Sequence, residues 1–83
     1  MNIYNLTKNR IYLLFRLEPI TSIKKLLKDN KISYSSINKI IHEFEREGII
    51  WIGKGKYNSF SLNLTQKGNR VIMTLNQLKK ELE

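Results

Sequence analysis

The chain has 83 residues, room for one domain with a modest core. It has no cysteine, which excludes disulfides, zinc fingers and thiol chemistry. No apolar run approaches the length of a membrane span and no signal peptide opens the chain, so a cytoplasmic protein with no membrane partner is expected. Fifteen Lys and Arg against seven Asp and Glu give a formal charge of +8 and a pI near 9.9. That excess favours a polyanionic partner, because bound cations release counterions condensed on nucleic acid. An acidic membrane surface is the competing partner, but no segment joins a basic face to an apolar face rich in Trp and Phe.

In chain order, residues 5–17 read as a first helix, with Asn2 or Asn5 as possible caps. Its apolar residues, Ile11, Leu13, Leu14, Phe15 and Leu17 among them, cover more than one stripe. A helix apolar over so wide an arc packs against two partners. One is its own core; the other is expected to be a second subunit, reached through Ile11 and Leu14. Pro19 breaks the pattern, since proline disfavours helix in the residue before it. Thr21 or Ser22 then caps a short helix over 22–29, with Ile23, Leu26 and Leu27 inward and Lys24, Lys25 and Lys28 outward.

After a link of a few residues comes the stretch that organises the rest. Ile37, Ile40, Ile41 and Phe44 recur at i, i+3, i+4 and i+7, one buried helical face over residues 34–47. Ser33 is a suitable N-cap and Gly48 a suitable terminator. Two helices joined this closely cross steeply, as in a helix-turn-helix, with Ile32 filling the angle. The outward face carries Tyr34, Ser35, Asn38, Lys39 and His42, groups of modest length that suit base edges and phosphates. An ordinary solvated face is the other reading of the same residues.

Beyond Gly48 the period becomes extended. Ile49–Ile52 has strand composition, Gly53–Lys56 is a turn, and Tyr57–Leu64 alternates, with Phe60, Leu62 and Leu64 on one face. This is a hairpin over 49–64 with a basic tip. Trp51, flanked by isoleucines, reads as core or dimer contact rather than as a base-stacking ring. Thr65 caps a last helix over 66–82. There Val71, Leu75, Leu78 and Leu82 form a seam like a short coiled coil, widened by Ile72. So small a core does not cover that seam, and it is expected to pair with its counterpart in a homodimer.

Gly48–Gly55 superficially matches a phosphate-binding loop, but its middle is a strand, and Gly55 stands where a hydroxyl must hold magnesium. The chain has one histidine, and the acids Glu43, Glu45 and Glu47 are read as an exposed helical turn without a pocket, so no catalytic residue, metal site or cofactor is expected. The expected class is therefore not an enzyme.

The order of elements, with Thr21–Ile50 and especially E-F-E-R-E-G-I-I (Glu43–Ile50) and L-N-L-T-Q-K-G-N-R-V (Leu62–Val71), resembles the winged helix-turn-helix core of the MarR and ArsR repressor superfamily. The likeness is to a minimal form without an effector domain. It implies an α+β fold with a three-helix core, a two-stranded wing and a C-terminal dimerisation helix. It also implies a dimeric, sequence-specific, double-stranded DNA-binding transcriptional regulator, a repressor by family habit. Carried over by position, Tyr34, Ser35, Ser36, Asn38, Lys39 and His42 contact bases and phosphates. Lys54, Lys56 and Tyr57 contact the backbone or minor groove from the wing, and Lys24, Lys25 and Lys28 support flanking phosphates. Two alternatives stay open: an architectural or partition-type DNA binder of low specificity, and a winged-helix protein-interaction module.

Overall fold

The computed structural model describes every residue except Asp29 and Asn30, and the backbone alone of Asn58. A single 3-10 turn over Ile3–Asn5 precedes helix α1 (Lys8–Arg16). The sequence suggested one continuous helix here. Instead, the Asn2 side chain accepts from Tyr4 N at 2.9 Å and closes the short turn, and Thr7 restarts the chain in an extended conformation. Strand β1 (Ile20–Ser22) follows, then α2 (Ile23–Leu27), α3 (Tyr34–Arg46), β2 (Ile50–Lys54), a 3-10 turn at Lys56–Asn58, β3 (Phe60–Leu64) and α4 (Gln66–Leu82). The expected end of the second helix at Asp29 lies outside the described residues.

The sheet has three strands in the order β1-β3-β2, all antiparallel. β1 is the element the periodicity missed: Thr21 and Ser22 pair with Leu62 and Ser61, and Ser22 also stands at the expected N-cap position of α2, without a side-chain capping bond. Three residues are too few to show an alternation. Thr21 faces inward, and its buried hydroxyl accepts from Glu18 N at 2.8 Å, so its burial leaves no unpaired polar group.

The core lies between the inner sheet face and the helices. Leu13 and Leu14 of α1, Leu26 of α2, the α3 face Ile37, Ile40, Ile41 and Phe44, and Ile50 and Leu62 of the sheet are almost wholly buried. Each is worth about 1.5–3 kcal/mol by removal from water. Ile32 is buried where α2 meets α3. Two expectations are corrected. Leu14 has no exposed surface, so it is a core residue of the single chain and not available to a second subunit. Trp51 is 56 % exposed, because strand parity pairs it with Asn63 on the outer sheet face, so of its two readings, core and dimer contact, only the core one is overturned.

The end of α3 and the start of α4 interlock. Gly48 takes a φ of 73°, and Ile49 N donates to Phe44 O at 2.9 Å while Gly48 N donates to Glu45 O at 3.0 Å. This is a Schellman ending, which turns the chain sharply into β2. Thr65 caps α4 by accepting from Gly68 N at 2.9 Å. Its hydroxyl also donates to the carbonyls of Gly48 and Ile49, and its backbone N donates to Ile49 O at 3.0 Å. Lys67 Nζ donates to Glu47 O at 2.5 Å, a cation on the negative end of α3. At Gly68 a Cβ would stand 2.0 Å from Ile49 O, so only glycine lets the two segments approach this closely.

Gly68→Ala should therefore lower stability by about 2 kcal/mol through forced separation of the segments, against the roughly 1 kcal/mol that alanine gains in an unconstrained helix. Urea unfolding followed by far-ultraviolet circular dichroism measures the difference, and an unchanged or raised midpoint would contradict it.

Candidate nucleic-acid interface

α3 divides cleanly into two faces. Its inner face is anchored by four of the most buried side chains in the molecule, while Tyr34, Ser35, Asn38, Lys39 and His42 are all exposed. Ser33 starts the helix, its hydroxyl accepting from Ser36 N at 3.3 Å and donating to Ser36 Oγ at 2.8 Å. Ser36 is thus half-buried and engaged in the cap, less accessible than its neighbours. His42 lies 3.9 Å from Glu45 on the same face. Arg46, exposed one turn beyond His42, continues the Lys39–His42 row. In the sequence it is embedded among acids, which hides its place in that row.

The acids of α3 are not a uniform exposed turn. Glu43 is half-buried and takes a forked pair of hydrogen bonds from Arg10 of α1, Nε to Oε2 at 2.7 Å and Nη2 to Oε1 at 2.8 Å. Arg10 also donates to Thr7 Oγ1 at 2.9 Å, which fixes the guanidinium plane. The hydrogen bond from Arg10 holds the Glu43 carboxyl below the usual carboxylate range. Burial opposes that shift, and the charges of Arg10, Lys39 and Arg46 reinforce it. The pair pins the middle of α3 to α1. It joins residues 33 positions apart, a separation at which sequence carries no charge-pairing signal.

Of the other proposed contacts, Lys24, Lys28, Lys54 and Lys56 are exposed and, among the described residues, make no ion pair. Lys25 lies 3.5 Å from Glu18 with both side chains mostly in solvent. Surface pairs of this kind contribute little and are screened by salt. The turn between β2 and β3 places Tyr57 at its tip, 95 % exposed, with a φ of 57° and ψ of 42°. A left-handed conformation costs a non-glycine residue roughly 1–2 kcal/mol. In α4, Val71 and Leu75 are half-buried, while Leu78 and Leu82 are exposed. With Ile11 and Phe15 of α1, Leu75, Leu78 and Leu82 line an apolar groove of about 290 Å³.

Among the described residues no three His, Cys, Asp or Glu side chains gather as a metal site. Nor, among the described residues, is any helix long and apolar enough to cross a membrane.

Comparison with known proteins places this geometry. No family model matches the chain, and no curated protein matches it. Among solved structures it superposes on a mutant form of Lactococcus lactis ZitR with a TM-score of 0.77 at 19 % identity, over 99 % of this chain and 58 % of that one. The fold is a winged helix. In that frame α2 and α3 are the helix-turn-helix, and the β2–β3 hairpin is the wing. The chain spans little more than half the length of ZitR.

The Arg10–Glu43 pair generates a pH prediction. Because the Glu43 carboxyl is depressed in the folded chain, its contribution is complete above the ordinary carboxylate range and lost as pH falls through the lower folded value. Glu43→Gln should cost about 1–2 kcal/mol at neutral pH, and the gap from wild type should close on acidification. Paired urea titrations at neutral and acidic pH test this, and a gap independent of pH would contradict it.

Proposed function

We propose that the chain is a dimeric, sequence-specific, double-stranded DNA-binding transcriptional regulator. The observation that carries this reading is α3 itself. A rigidly anchored helix presents hydrogen-bonding side chains and a cation along one exposed face, beside a wing that exposes Lys54, Lys56 and Tyr57. An α-helix fits the major groove of B-DNA, where each base pair displays a distinct donor and acceptor pattern. Asn38 suits adenine, whose N6 and N7 match its amide, and Lys39 suits guanine or a phosphate. Ser35 and His42 flank them, Tyr34 and Ser36 stand at the phosphate end, and Lys24, Lys25 and Lys28 supply charge beside the helix.

The winged-helix fold shared with ZitR provides the helix-turn-helix and the wing on which this reading rests. Homodimerisation is supported by the exposed Leu78 and Leu82 and by the groove that continues them towards Ile11. A dimer of this kind covers its operator, and the regulatory sense we infer is repression.

The charge of +8 supports a second reading, an architectural binder of low specificity. Selection of bound duplexes from a random library at near-physiological salt separates the two. A two-fold symmetric consensus with half-sites about one helical turn apart supports the dimeric regulator. Recovery without enrichment supports the architectural role, and no recovery contradicts both. Within the first outcome, Asn38→Ala should relax preference at one base position, at a cost of about 1–3 kcal/mol. Lys54→Ala should weaken binding to all duplexes alike and lower the salt slope by about one. Fluorescence anisotropy across a salt series reads both effects. Binding untouched by either substitution would contradict the proposed docking.

A further inference from the structure

Tyr57 is the one non-glycine residue in the left-handed region among the described residues. Glycine relieves that conformation, and the wing contains glycines, but uses them elsewhere and for space. A Cβ at Gly55 would stand 2.5 Å from Ser59 Oγ, and one at Gly53 would stand 2.9 Å from Ser61 Oγ. The turn is closed around the tyrosine by Gly55 N donating to Ser59 O at 2.7 Å and Ser59 N donating to Lys56 O at 3.1 Å. Ser59 Oγ adds a second bond to Lys56 O at 2.6 Å. The strained backbone is thus held in place while the ring, almost wholly exposed, buries next to nothing within the chain. Strain that brings no packing is a feature of functional positions.

The surroundings say what the ring is for. Lys54 and Lys56, the two cations just before it in the chain, are exposed, with no ion pair among the described residues. An exposed flat ring next to two exposed cations on the same turn suits a partner offering negative charge and stackable faces together, which is nucleic acid. Phosphate contact alone needs only the lysines. The geometry points to Tyr57 as a wedge that enters the minor groove beside the α3 half-site and partly unstacks one base step, kinking the duplex. This rests on the duplex-binding reading above and adds to it a specificity-determining residue. Unstacking is easiest at pyrimidine–purine steps, so Tyr57 imposes a preference at a position that α3 does not touch.

The test uses the full chain and duplexes of about three helical turns, recovered by it from a random library and carrying 2-aminopurine at successive flanking steps. Wild type, Tyr57→Phe and Tyr57→Gly are compared. Tyr57→Gly suits the backbone conformation, and a thermal melt verifies that it folds. Wild type and Tyr57→Phe should raise the fluorescence at one flanking step. Tyr57→Gly should not, should bind about tenfold more weakly, and should recover a library without the pyrimidine–purine preference at that step. Binding by wild type with no fluorescence change at any step would reduce Tyr57 to a sugar or phosphate contact and overturn the wedge alone. A Tyr57→Gly chain that unstacks the same step would also overturn it. Failure of wild type to recover any duplex would overturn the duplex-binding reading, and the wedge with it.

Discussion

The close approach of the Thr65–Gly68 turn to Gly48 and Ile49 is the constraint on which the architecture depends. One threonine hydroxyl both caps α4 and reaches the carbonyls of Gly48 and Ile49, just past the end of α3. One lysine adds its charge to the same helix end. Because Gly68 has no Cβ, the two segments meet at backbone distance, and this fixes the angle at which β2 leaves α3. The wing therefore holds a set position relative to α3. Without that junction, the exposed face of α3 and the tip of the wing would have no fixed relation, and no single duplex geometry would suit both.

A second tie acts at the other side of α3. The Arg10–Glu43 fork crosses from α1 to the middle of the helix, where apolar packing alone would allow sliding along its axis. Arginine suits this task because its planar guanidinium matches a carboxylate at two atoms and so fixes orientation as well as distance. Since α1 also borders the groove with Leu78 and Leu82, a subunit contact made there would be coupled through one rigid path to the α3 surface.

Much of this was legible in the sequence, and the rest was not for identifiable reasons. The inner face of α3 was readable because Ile37, Ile40, Ile41 and Phe44 follow the helical period, and all four are buried. The Ser33 and Thr65 caps and the turn at Gly48 were readable because their chemistry is local. α4 occupies the interval expected of it. β1 was invisible because a three-residue strand has no period of its own and exists only through its partner β3. Leu14 looked like surface because α1 is apolar over a wide arc, and sequence cannot say which part of such an arc meets the core. The core reading of Trp51 failed because its strand parity is set by register with Asn63, a long-range fact. The left-handed backbone of Tyr57 had no signal, since tyrosine is not a residue that announces that conformation. The residues proposed to meet DNA form an exposed set in the structure, apart from the half-buried Ser36; their contacts remain a proposal.

The proposed DNA-binding surface joins the exposed face of α3 to the wing tip. The most direct measurement is a titration of the isotope-labelled chain with a duplex of about two helical turns, followed residue by residue through its backbone amide resonances. The largest shifts are expected on Tyr34–His42 and on Lys54–Tyr57, with the outer sheet face at Ile20 and Trp51 unmoved. Shifts concentrated at Ile20 and Trp51, or shifts of α3 without the wing, would contradict it.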